Sequence, residues 1–90
     1  MTVMNVTAKR YTGTGACGIG RARIAAVQAT TTGAARLTVT DGSGGATKLD
    51  LDFVSGDTFH IAIPGDGVLC DKDPQITALT NISAVTLFFM

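Results

Sequence analysis

Glutamate and tryptophan are absent from this chain of 90 residues, and histidine and tyrosine occur once each, as His60 and Tyr11. Without Glu, all seven acidic side chains are Asp, a turn former and a poor helix former. Thr and Gly are abundant, so the composition is biased against helices. One histidine with no acid or cysteine set beside it by sequence leaves no Ser-His-Asp or zinc-site pattern, because such sites need several partners. Tyr11 as the one polar aromatic leaves little for sugars to stack on. Long apolar runs are missing as well, and no segment reaches the length that spans a bilayer as a helix. The N-terminal residues lack the apolar stretch and cleavage site of a signal peptide, so the chain is expected to be made in a cytoplasm and to stay soluble there. Two cysteines, Cys17 and Cys70, are expected as free thiols in a chain without an export signal.

Neither sign of charge prevails. Seven basic and seven acidic residues cancel, which leaves no electrostatic footprint for nucleic acid or an anionic membrane. Ninety residues make a single domain, 1–90, with a thin core of Leu, Ile, Val and Phe. Domains of this size commonly gain stability from disulfides, metals or self-association.

What is present is alternation. From Ala35 to Pro64, Leu37 and Val39, then Leu49, Leu51 and Phe53, then Phe59, Ile61 and Ile63 share one face. Arg36, Thr38, Thr40, Lys48, Asp50, Asp52, Thr58 and His60 share the other. A period of two is the signature of strands, whose successive side chains point to opposite faces. The separators Asp-Gly-Ser-Gly-Gly and Ser-Gly-Asp make this stretch an expected antiparallel meander with one wet face.

The remainder extends the pattern. Thr2–Tyr11 reads as a first strand and the glycine-rich residues 12–20 as a loop. Residues 21–31 have the propensity of a helix, with Ile24, Val27 and Gln28 on one side, but they lack a start signal and run into Thr30-Thr31-Thr32-Gly33. With Ala22, Ile24 and Ala26 alternating, they read as a strand before a turn at Gly33-Ala34. Pro64–Gly67 is a tight turn, 68–70 a short extended piece and 71–74 a polar loop. Residues 75–80 and 81–90 supply two closing strands. The expected fold is therefore all-β, a small antiparallel β-sandwich or barrel of about seven short strands. Its expected core holds Val6, Ile24, Leu37, Val39, Leu49, Leu51, Phe53, Phe59, Ile61, Ile63, Leu79 and either Val85 and Leu87 or their neighbours.

Few motifs carry chemistry. Gly13-Thr-Gly15-Ala-Cys-Gly18 matches the dinucleotide-loop spacing, but no helix start follows, the next acid is Asp41 and the chain is too short for a doubly wound sheet. Asp50 with Asp52, and Asp71 with Asp73, suit a solvated face better than a calcium site. Catalytic, cofactor and metal residues are accordingly not assigned, and the chain is read as a non-enzyme. Arg21 and Arg23, beside Lys9 and Arg10 in sequence order, form a small basic patch for a polar contact with an acidic partner, too small for non-specific nucleic-acid binding. In the last strand both faces are apolar, with Val85, Leu87 and Phe89 alternating with Ala84, Thr86 and Phe88. Such a strand is buried on both sides, either inside the domain or against another surface. Val3, Val85, Leu87, Phe88, Phe89 and Met90 are on that ground the candidate assembly interface.

The segments Val3-Met-Asn-Val-Thr-Ala-Lys9, Leu37-Thr-Val-Thr-Asp-Gly-Ser-Gly-Gly45, Ile63-Pro-Gly-Asp-Gly-Val-Leu69 and Leu79-Thr-Asn-Ile-Ser-Ala-Val-Thr-Leu-Phe-Phe89 resemble the small β-rich structural proteins of marine tailed phages, cyanophages among them. The resemblance implies a virion component assembled in the host cytoplasm, such as a capsid cement or decoration protein. Its expected partners are the major capsid or tail protein of the same particle and further copies of itself, without nucleic acid, membrane or cofactor. The alternative is a tail- or fibre-associated module that grips a glycan or small ligand with loops 12–20, 41–46 and 64–74.

Overall fold

Two long strands organise the molecule, and every other strand pairs with one of them. The computed structural model describes residues 6–90. β1 (Thr7–Tyr11), β2 (Gly15–Ala16), β3 (Ala22–Asp41), β4 (Thr47–Phe53), β5 (Thr58–Ala62), β6 (Val68–Cys70) and β7 (Pro74–Phe89) form one antiparallel sheet of seven strands. β7 pairs with β3 from Ile24 opposite Phe89 to Asp41 opposite Pro74. The far edge of β7 carries β1 along its second half and β2 along its first. The far edge of β3 carries β6 and β5 along its first half and β4 along its second.

The all-β architecture follows the alternation, and residues 22–31 are extended as expected. Two details of the expected pattern are corrected. β4 and β5 are not neighbours in a meander, because each pairs with β3 instead. The strands at 21–31 and 35–41 are one strand of 20 residues, and 75–80 and 81–90 are one strand of 16. Gly33-Ala34 does not end the ladder; it bends it.

That bend is forced by size. A straight strand of 20 residues would run roughly 65 Å, yet the longest extent of the molecule is 40 Å. Ala22, at one end of β3, pairs with Cys70, and Asp41, at the other end, pairs with Pro74. Residues so close in sequence span at most about 14 Å. β3 therefore doubles back, and the sheet folds over so that its two halves enclose the core. At the corner the ladder steps from Thr31 opposite Ile82 to Arg36 opposite Thr80, which leaves residues 32–35 facing Asn81 alone. Asn81 takes a left-handed backbone (φ 55°) and its side-chain amide donates to the Ala34 carbonyl at 2.8 Å. Asn tolerates that conformation better than most residues. Thr31, buried at the same corner, donates its hydroxyl to Ser55 O at 2.8 Å and accepts the Asp57 amide at 3.0 Å.

Bulges decide which side chains face inward. Ile24 lies opposite Phe89 but Ala26 opposite Phe88, so Ala25 is an extra residue. Ahead of it Ala22 and Ile24 point in; behind it the parity flips and Val27 and Ala29 point in. Ile24, Val27, Leu37, Val39, Val85 and Leu87 are fully buried, with Phe89 beside them. Leu49, Leu51, Phe59, Ile61, Ile63 and Leu79 are partly buried against this cluster. The rings of Phe53 and Phe59 meet at 5.0 Å where the two halves join. Val6 is the exception among the expected core residues. It lies before β1 and is 50% exposed, because no strand stands opposite it to cover it.

Candidate functional site

Three backbone segments converge away from the corner, where the two ends of β3 come together, and two aspartates hold them. The Asp73 carboxylate accepts the amides of Gly18 at 3.1 Å, Ile19 at 2.9 Å and Gly20 at 2.9 Å. Gly18 and Gly20 have φ of 72° and 77°, which turns successive N–H groups toward one point. The glycine-rich loop thus does form an anion cradle, and its occupant is the protein's own carboxylate. Asp41 accepts the amides of Asp71 at 3.0 Å and Lys72 at 2.9 Å, so the end of β3 is tied to the loop before β7. Partial burial opposes ionisation of Asp73, but the three amides outweigh it and hold its pKa below the usual carboxylate range. The Lys72 amide, opposed by burial and helped by the Asp71 amide, does the same for Asp41. By sequence Asp71 and Asp73 share a solvated face of their loop, and the convergence of a distant loop on Asp73 has no local pattern.

Cys17 and Cys70 are both buried free thiols beside this junction. Burial pushes the Cys17 thiol up to about 11, and Cys70 is raised chiefly by the same cause. Such thiols are poor nucleophiles. Tyr11 donates its hydroxyl to the Cys17 carbonyl at 2.9 Å, and burial raises its pKa above the ordinary range.

The outer faces of the two halves differ. Residues directly opposite one another in a ladder share a face. On the outside of the first half, Ala62, Ala26, Phe88 and Ala8 form one row across four strands. His60, Gln28, Thr86 and Arg10 form the next row, and the His60 ring meets Phe88 edge-on at 5.9 Å. Arg23 and Met90, which exchange backbone hydrogen bonds, lie on the same side. On the outside of the second half, Arg36 makes a two-pronged pair with Asp50 at 3.0 and 2.8 Å, and Thr38 donates to the same carboxylate. Arg36 and then Thr38 hold Asp50 below its usual pKa. An open depression of about 470 Å³ lies beside them, lined by Ala34, Arg36, Asp52, Phe53, Val54 and Thr80 among others.

The expected interface residues separate accordingly. Val85, Leu87 and Phe89 point into the core and are removed from it, since the folded-over second half of the sheet covers them. Phe88 and Met90 are half-buried on the outer face. Val3 lies outside the described residues. Arg21 pairs with Asp71 at 3.3 Å in an exposed contact, whereas Arg23 joins the Phe88 face. Among the described residues, no group of three or more His, Cys, Asp or Glu is placed to hold a metal ion. No protein-family model matches the chain, and no curated protein or solved structure is significantly similar to it.

Proposed function

We propose that the protein is a non-enzymatic structural component of a phage virion, a cement or decoration protein bound to the particle in many copies. The observation that carries this reading is its form: a folded sheet of 40 × 32 × 19 Å, a plate whose two broad faces are sheet surfaces. A plate can lie flat on a lattice and place one broad face against it. The outer row centred on Phe88 gives that face an aromatic anchor of the kind that dominates binding energy in protein interfaces. The major capsid or tail protein is the partner in this reading, with neighbouring copies meeting at the plate's edges. Quantitative mass spectrometry of purified particles tests it. Stoichiometric copies, and particles that lose their genome at lower temperature when the gene is deleted, are the expected results. Purified particles without the protein overturn it.

A second reading, a tail- or fibre-associated ligand-binding module, is favoured by the depression at the corner. There Val54, 90% exposed, stands beside the polar side chains of Arg36, Asp52 and Thr80. Glycan-array binding that is lost in Val54→Asp would select this reading.

A further inference from the structure

We infer that the outer face of the first half of the sheet is a heterologous docking surface for an acidic protein surface, with Phe88 as its anchor and Arg10 and Arg23 as its charged contacts. The inference rests on the assembly reading above and names the face and the partner's chemistry.

Three features of the face carry it. Phe88 is half-buried, with the His60 ring edge-on to it at 5.9 Å. The other side chains of its row, Ala8, Ala26 and Ala62, are short, so a flat surface can reach the part of the ring left open. Arg10, directly opposite Thr86, and Arg23, hydrogen-bonded to Met90, place cations on either side of that ring. Neither arginine has an ion-pair partner among the described residues, and residues 1–5 contain no acid. The rows contain no aspartate. The acids on the opposite face, Asp50 and Asp52, are already engaged with Arg36.

The sign of charge selects the occupant. A two-fold pairing of this face with itself would set Arg10 and Arg23 against the same arginines with no aspartate in either row between them, which disfavours a second copy in that arrangement. Two cations are too few for nucleic acid, which is held by many phosphate contacts at once. A protein surface with carboxylates around an apolar centre satisfies both the arginines and the ring.

Site-specific photocrosslinking in the cells that assemble the particle tests this. The full chain carries benzoylphenylalanine in place of Phe88, or in place of Asp52 as the opposite-face control. Circular dichroism verifies that each variant is folded. The expected result is an adduct from position 88 that maps to an Asp- or Glu-rich segment of another protein. Adding Arg10→Glu and Arg23→Glu should cut that adduct by about tenfold or more, as expected for interfacial arginine contacts. Adducts from position 88 to itself, to lipid or to nucleic acid overturn the inference, as do adducts from position 52 alone or none from either. If particles lack the protein but position 88 still marks an acidic protein segment, the virion reading falls and the docking surface stands. If particles contain it and only position 52 reacts, the virion reading stands and this surface falls.

Discussion

Asp73 accepts the amide hydrogen of Gly18 across 55 residues of chain, and the same carboxylate also takes the amides of Ile19 and Gly20. One side chain therefore stands in for the ladder hydrogen bonds that a glycine-rich loop cannot make. Asp73→Asn keeps the shape but removes the charge and one acceptor. It should lower stability by about 1 kcal/mol, after allowance for partial exposure, or the melting temperature by about 4–8 °C. Thermal unfolding of the two proteins side by side is the measurement, and hydrogen exchange should quicken at residues 18–20.

Acid should unlock the same junction and loosen the Arg36–Asp50 pair on the outer face. The pKa values of Asp41, Asp50 and Asp73 are lowered in the folded protein, so each contributes stability above the unfolded carboxylate range that is lost as pH falls through the folded values. Urea midpoints should be level from neutral pH down to about 5 and should drop below about 4, where unfolded carboxylates take up protons. Asp73→Asn should flatten part of that drop. A midpoint unchanged down to strong acid would contradict the role of these carboxylates.

The thiols should be silent in the native state. Burial lifts Cys17 to about 11, so its contribution to stability is complete below the unfolded thiol pKa and fades as pH rises toward the folded value. At pH 8 an aromatic disulfide reagent should label neither Cys17 nor Cys70 until denaturant is added. Prompt labelling of either would show that the junction opens readily.

Adjacent aromatic residues should respond oppositely. Phe89 is 1% exposed inside the core, whereas Phe88 is on the outer face. Phe89→Asp buries an unpaired charge and should leave the chain unfolded, since that cost rivals the whole stability of a small domain. Phe88→Asp should fold and melt within a few degrees of the parent. Circular dichroism of the two variants decides it.

Gly67 should not tolerate a side chain. Its φ is +78°, and a Cβ built there would lie 2.5 Å from the Ile24 carbonyl oxygen. Gly67→Ala should cost about 1–2 kcal/mol from the left-handed backbone alone, and more from the clash. Gly65, with a similar φ but open space around it, isolates the backbone contribution when changed to Ala.

The strands were legible because alternation at Leu37, Val39, Leu49, Leu51 and Phe53 is a local signal of period two. Their connection was not. Gly33-Ala34 has the composition of a turn, and only the pairing of Thr31 and Arg36 with the distant Ile82 and Thr80 shows that the strand bends and continues. The bulge at Ala25 was equally hidden, since small side chains on both sides of it mask the change of parity. Phe88 and Phe89 look alike in the sequence, and both are interface candidates there, because two apolar faces on one strand do not reveal which is covered; burial separates them. The cradle around Asp73 is wholly a product of tertiary structure. The basic patch of Arg21 and Arg23 beside Lys9 and Arg10 is legible, but not its division: Arg21 turns to Asp71, whereas Arg23 and Arg10 flank Phe88.

β7 lies between β1 and β3, yet of these three strands it is the last to be synthesised. A ribosome that has released residues 6–73 has delivered both flanks of the sheet without the strand that joins them. During that interval the inner edges of β1 and β3 expose unpaired backbone groups, and Val27, Leu37 and Val39 lack the side chains that later cover them. β1 and β2 pair with β7 alone, so they join the sheet only after β7 has docked on β3, and the last strand completes the fold. Crowded nascent chains of this protein would be most prone to pair with each other just before that strand emerges.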